Sequence, residues 1–258
     1  MHYTTRETRL AAALVEAADT LTDGFEATDY LQRVSDHCVE LLAARAAGFM
    51  LIDGGRTVSL AGSSRQRELA LDLLRAQSDG GPCLDSYGTG KPVPPVSISA
   101  AHAGARWPVF TERALHHGVA ATFAVPLRRR ETLLGALNVF VPTLPDHSAA
   151  GGDGELRLAQ ALADAAAVGL QNHRAYARYR TLAGQLQEAL SSRVRIEQAK
   201  GMLAERWGTG ADHAFVALRQ YARRRRLPLD RVAQAVIDRV ADDTELRGEA
   251  GDSSSGHS

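Results

Sequence analysis

The side chains best suited to chemistry in this 258-residue chain are cations gathered near its C-terminal end. Between Ser191 and Val240, eleven Lys and Arg face five Asp and Glu, a local excess of six positive charges in a chain whose formal net charge is zero. Arg193 and Lys200 stand seven residues apart, about two helical turns, and so share one face. With Arg219 they are the basic groups that helical spacing best brings to one surface, and such a surface suits phosphate oxygens. Tyr221 could stack on a base, although a partly buried tyrosine is the commoner arrangement. The run Arg223–Arg226 offers either phosphate contacts or, more commonly, a solvated helix end that complements the backbone dipole. Gly201 costs about 1 kcal/mol in a helix relative to alanine, and close approach of another backbone is a reason to keep it.

Other reactive groups are sparse. Two cysteines, Cys38 and Cys83, can neither build a disulfide framework nor fill a four-ligand zinc site by themselves. Cys38 falls on the apolar face of a helical segment and reads as buried. Cys83, in Pro82-Cys83-Leu84, becomes reactive only if a positive group lowers its pKa, and burial as a small apolar residue is the commoner outcome. His37, His102, His116, His117 and His213 show no metal-ligand spacing, and Asp153 lacks the surroundings of a phosphoacceptor. The expectation is therefore no catalytic residue, no metal and no cofactor.

Bulk composition, 45% hydrophobic and 23% charged, is that of a globular protein. No run approaches the ~20 apolar residues of a membrane span, and no basic-flanked leader with a cleavage pattern is visible, which points to the cytoplasm. Helical spacing is read over 7–20 and 27–45, the latter through Tyr30, Leu31, Val34, Cys38, Leu41 and Leu42, with Thr28 or Asp29 as its cap. Ala47–Ile52 and Thr57–Ala61 around Asp53-Gly54-Gly55 make a hairpin. Arg65–Gln77 is helical, and residues 79–108 read mostly as loop with a strand at Pro95–Ser99. A short helix at Pro108–His117 and strands at Val119–Pro126 and Thr132–Val141, joined through Leu127–Glu131, complete an α+β domain with an antiparallel sheet. Loop resumes at Leu144–Gly154.

Proline is absent from Asp153 to Arg206, so one or two long helices follow. Leu182, Leu186, Ala189, Ile196 and Leu203 form an approximate coiled-coil seam, interrupted by Arg193 and Lys200. Trp207-Gly208-Thr209-Gly210 breaks the helix, Ala211–Arg226 is the next, and Pro228 opens a last one. Together they read as a three-helix unit with a core of Leu203, Phe215, Leu218, Val232, Val236 and Ile237. The expected boundaries are an N-terminal helix at 1–24, an α+β domain at 25–152, a connecting helix or coiled coil at 153–184, a basic helical domain at 185–247 and a disordered tail at 248–258.

Two resemblances attach to these segments. Ser191-Ser192-Arg193-Val194-Arg195-Ile196-Glu197-Gln198-Ala199-Lys200-Gly201-Met202-Leu203, followed by Ala214-Phe215, Leu218-Arg219, Leu229 and Val232-Ala233, resembles an ANTAR domain. The resemblance implies a small three-helix RNA-binding module of bacterial transcription antiterminators. Its targets are paired hairpins in leader transcripts, which binding stabilises against a competing terminator hairpin. The matching positions are Arg193, Ala199, Lys200, Gly201, Ala214, Leu218 and Arg219; Tyr221 and Arg223 join them as candidate RNA contacts. The Arg223–Arg226 run departs from the family pattern.

Residues about 25–170 resemble a GAF domain through Gly81-Pro82-Cys83-Leu84-Asp85-Ser86-Tyr87, Gly90-Lys91-Pro92-Val93, Arg106-Trp107-Pro108, Phe110, Ala124-Val125-Pro126-Leu127 and Leu134-Gly135-Ala136-Leu137-Asn138-Val139. That resemblance implies a sensor with an antiparallel sheet of roughly six strands and a possible small-molecule pocket. The NKFDE motif of the cyclic-nucleotide type is absent. The combined expectation is a GAF-ANTAR antiterminator of actinobacterial type, responding to an unidentified small-molecule or protein signal and assembling as a homodimer through its long helix. Two alternatives stay open: a helix-turn-helix-like DNA-binding regulator using Ala211–Val240, and a cysteine-dependent reductase of the GAF type using Cys38 and Cys83.

Overall fold

A computed structural model describes residues 5–144 and 151–251. The chain divides into two units, Met1–Tyr176 and Ala177–Ser258. The first begins with helices α1 (Thr5–Ala18) and α2 (Ala27–Leu41). The hairpin β1 (Ala46–Asp53) and β2 (Arg56–Gly62) follows, then α3 (Arg67–Arg75), α4 (Pro82–Thr89), β3 (Val93–Ser97), α5 (Ile98–Ala103) and α6 (Pro108–His116). Strands β4 (Ala121–Arg129) and β5 (Thr132–Val141) complete the sheet, and α7 (Gly151–Trp207) runs on into the second unit. All pairings are antiparallel, in the order β2-β1-β5-β4-β3. Among the described residues the sheet thus has five strands, fewer than the resemblance implied.

The turns follow from local chemistry. Asp53 pairs with Arg56, leaving Gly54 and Gly55 as a two-residue turn with φ of 54° and 78°, the left-handed pair that matches the twist of a tight hairpin. Arg129 pairs with Thr132, so the second turn is only Arg130-Glu131, and Leu127–Arg129 belong to the strand rather than to the expected connection. The segment 79–108, expected to be mostly loop, holds α4 and α5. Its stop and start signals were present. Pro82 fits the first turn of α4, and Gly90 ends it at φ 65°. Helix α2 starts behind Glu26 without a side-chain cap, and the expected cap Thr28 instead reaches Ser59 at 3.4 Å.

Both faces of the sheet are buried, and strand alternation sorts them. Ala47, Phe49, Leu51, Phe123, Val125, Leu137 and Val139 face a core shared with α1, α2 and the Ala159–Leu170 stretch of α7. Ala46, Met50, Ile52, Ala124, Ala136 and Phe140 face the opposite layer, built from α3 to α6. Of the residues that carry the GAF resemblance, those between 81 and 110 meet one another on that side. Trp107 Nε1 and Arg106 both donate to Asp85, at 3.1 and 3.2 Å, and the Arg106 guanidinium lies 3.8 Å from the Trp107 ring centre. Ser86 donates to the Lys91 carbonyl at 3.0 Å.

The second unit comprises the remainder of α7, α8 (Ala211–Arg225), α9 (Leu229–Ile237) and a fourth helix, α10 (Asp243–Gly251). The three helices expected are present, and beyond them α10 adds Leu246, wholly buried, to the core of Ala199, Leu203, Leu218, Val232 and Val236. The helix extends into the stretch read as a tail, of which residues 252–258 lie outside those described. The expected loop at Leu144–Gly154 gives way to α7 at Gly151, and residues 145–150 also lie outside those described. Phe215, expected in the core, is only half-buried and stands apart from that cluster.

The glycines inside α7 have unlike roles. A Cβ on Gly169 would overlap the Tyr30 hydroxyl and the Ala17 carbonyl oxygen, which hydrogen-bond each other at 2.7 Å. Nothing lies within 4 Å of a Cβ on Gly184 or Gly201. Gly169→Ala is expected to destabilise the first unit by about 1–3 kcal/mol through overpacking, read as a lower unfolding midpoint in urea with the slope unchanged.

Candidate nucleic-acid interface

The second unit places the nine candidate RNA-contacting residues in three different settings. Ala199, Ala214 and Leu218 have no exposed surface and form the core on which the helices pack. They set the positions of their neighbours and have no surface to offer a ligand. Arg193, Gly201, Arg219 and Arg223 are exposed, and Lys200 is half-buried beside its ion-pair partner Glu197, one turn earlier. Tyr221 forms the third setting. It is two residues from both Arg219 and Arg223, and residues so spaced do not share a helix face. Its hydroxyl donates to Glu245 of α10 at 3.3 Å, so it does not join the Arg219–Arg223 side.

A groove of about 400 Å³ is lined by Ala189, Ser192, Arg193, Ile196, Glu197, Phe215 and Leu229. Its lining combines the apolar Ala189, Ile196 and Leu229 and the half-buried Phe215 with one cation and one anion. This is the shape and chemistry that accept an unstacked base: a ring face to stack on, with a guanidinium nearby for phosphate or a base edge. Arg193 was legible from helical spacing. Phe215 was missed, because its spacing with Ala214 and Leu218 is that of a core residue and only the packing of the neighbouring helices turns it outward. Beside the groove, Arg195 donates to Asp230 at 3.3 Å and fastens α9 to α7.

The Arg223–Arg226 run does end a helix. Arg226 adopts φ 54° at the C-terminal cap of α8, while Arg225 donates to Glu245 at 2.6 Å. Gly201 is exposed with open space around it, so the expected close approach of another backbone within the chain does not occur. Its glycine leaves a flat patch one residue from Lys200.

In the first unit the two cysteines lie against opposite faces of the sheet. Cys38 belongs to the layer of α1, α2 and α7, and Cys83 packs with Met50, Leu74 and Ala136 on the other side. The sheet between them rules out the pairing that a cysteine-dependent reductase needs. Burial pushes both thiols well above their ordinary range, and a hydrogen bond from Gln77 offsets only part of this for Cys83. No positive group acts on either, so neither is activated. Among the described residues no three His, Cys, Asp or Glu side chains converge on a metal-sized site, and no helix is long and apolar enough to cross a membrane. Within β5 a buried polar group is left unmet at Asn138. Its carbonyl accepts from Thr122 at 2.6 Å, and its amide nitrogen is buried without a partner.

Two measurements follow from this geometry. Both thiols are expected to resist a disulfide reagent in the native protein at pH 8 and to react fully in denaturant. Gly201→Ala is expected to raise the stability of the second unit by up to about 1 kcal/mol, read by thermal unfolding, since nothing in the chain occupies the space its methyl would take.

Two family models agree with this architecture. The sequence model of the GAF domain matches residues 26–171, and that of the ANTAR domain matches residues 184–237. Among solved structures, the GAF domain of the Acinetobacter phosphoenolpyruvate-protein phosphotransferase is 14% identical, with 67% of this chain and 97% of that one covered at a TM-score of 0.48. The free methionine-R-sulfoxide reductase from Neisseria meningitidis, solved with its substrate, is 14% identical, with 67% and 96% covered at a TM-score of 0.44. No curated protein matches the chain. With more than half of its length in the first match and the second following directly, the chain belongs to the GAF domain family and joins its GAF domain to a C-terminal ANTAR domain.

Proposed function

We propose that this protein is a signal-responsive transcription antiterminator of the cytoplasm. Its ANTAR domain binds paired hairpins in nascent leader RNA and holds them against a competing terminator hairpin, and its GAF domain gates that binding in response to a small-molecule or protein signal. The observation that carries the reading is the coincidence of the ANTAR match, residues 184–237, with a groove lined by both Arg193 and the half-buried Phe215. Loop bases of a hairpin are unstacked and offer a ring face, a hydrogen-bonding edge and adjacent phosphates, which this groove and its cations complement.

The homodimer expectation gains support from α7. The expected seam of Leu182, Leu186, Ala189, Ile196 and Leu203 does not stay together: Ala189 lines the groove, and Leu182 and Leu186 belong to an exposed row that adds Tyr179, Leu190 and Val194. Ile196 and Leu203 are taken up by the ANTAR core. Tyr179, Leu182, Leu186, Leu190 and Val194 remain 51–73% exposed, a row of large apolar side chains that pairing with a second α7 would bury. A signal at the GAF domain acts only if it interacts differently with two states of the protein, and the pairing of this row is a property that two states can differ in.

The test is equilibrium binding to a two-hairpin RNA, to the same RNA with both loops replaced, and to duplex DNA of equal length. Preference for intact loops is expected. Lys200→Ala should weaken binding about equally for all RNAs and lower the slope of log affinity against log salt by about one. Arg193→Ala should reduce the preference for intact loops. Preference for duplex DNA would favour the helix-turn-helix reading, and loop-independent binding unaffected by Lys200→Ala would refute the one proposed here.

A further inference from the structure

Helix α10 lies beyond the residues that match the ANTAR domain, which end at 237. Its acidic first turn is fastened to cations and aromatics of the domain. Arg206 Nη1 donates to both carboxylate oxygens of Asp243, at 2.8 and 2.9 Å. Glu245 accepts from Arg225 at 2.6 Å and from the Tyr221 hydroxyl at 3.3 Å. The Arg225 guanidinium stands 5.6 Å from the Tyr221 ring centre, and that of Arg247 stands 6.0 Å from the Trp207 ring centre. Arg206, Trp207, Asp243, Thr244 and Arg247 line a cavity of about 490 Å³, and the Trp207 indole nitrogen is buried with its hydrogen unaccepted.

Guanidinium groups beside aromatic rings are the recurring parts of surfaces that hold single-stranded nucleic acid. A guanidinium also takes a carboxylate or a phosphate with the same geometry. We propose that Arg206, Arg225 and Tyr221 form a second phosphate-binding surface for the RNA strand, and that α10 covers it in the free protein, with Asp243 and Glu245 in the phosphate positions. This rests on the RNA-binding reading above and adds to it an internal competitor. The cover is suited to displacement. A helix of nine residues does not hold its fold without docking. Among the described residues its anchors are the buried Leu246, a hydrogen bond from Arg247 to the Trp207 carbonyl oxygen at 3.1 Å, and ion pairs exposed enough to be weak and screened by salt, while the Asp242 carboxylate before it accepts the Thr244 and Glu245 N–H groups.

The experiment uses the full chain and the two-hairpin RNA. The D243N/E245Q variant keeps the size of both side chains and retains Leu246 and Asp242. It should bind about three- to tenfold more tightly at low salt, with a salt slope steeper by one to two. A control variant, E188Q/E205Q, removes the same charge from exposed acids outside these contacts and should not reproduce the gain. Adding R206A/R225A to D243N/E245Q should abolish it. If the unaltered protein binds RNA but D243N/E245Q gains no affinity, or no more than the control, the cover is refuted while the RNA reading stands. If no variant binds RNA, both fall. A melting curve for each variant confirms that the ANTAR core is intact.

Discussion

Where α7 passes the N-terminal helices, a Tyr30 hydroxyl and an Ala17 carbonyl oxygen occupy the space that any side chain at position 169 would need. The contact is possible because this part of α7 is lined by Ala159, Ala163, Ala166 and Ala167, all without exposed surface, so backbones approach closely. That approach closes one layer over the sheet and leaves β5 buried on both faces. An antiparallel sheet with polar alternation on one side could not sit between two helical layers, and the near-continuous apolar run of β5 is the sequence counterpart of this double cover.

The same helix then serves a second core with a different residue set. Ala199 and Leu203 are buried against α8 and α9, and between the two cores α7 presents a stretch in which the large apolar groups are exposed. A contiguous row of exposed large apolar groups is a cost unless something covers it. In the proposed mechanism that row is where a state of the GAF domain acquires a physical meaning for the ANTAR domain.

Charge in the ANTAR domain is organised by pairing rather than by excess. Of its many arginines, Arg195, Arg206 and Arg225 are each held by a carboxylate of the same unit, whereas Arg193, Arg219 and Arg223 are exposed. The distinction matters for a polyanionic partner. Exposed cations engage phosphate with little to give up, while paired ones do so only after releasing an internal acid. The C-terminal flank is therefore a place where binding can be tuned without altering the domain's core.

Sequence alone settled the α+β class, the antiparallel hairpins and the two-domain order, because period, turn glycines and prolines act over a few residues and need no distant partner. It also placed Arg193 and Lys200 on one side of a helix, since seven residues are two turns in any context. It could not place Phe215, whose spacing is that of a core residue until the crossing of neighbouring helices turns it toward solvent. Nor could it tell Gly169 from Gly201. Those outcomes depend on which atoms the rest of the chain brings within 4 Å, a property of packing between segments far apart in sequence. For the same reason no sequence pattern placed Asp243 and Glu245, and only their contacts with Arg206, Tyr221 and Arg225 give them a position in the second unit.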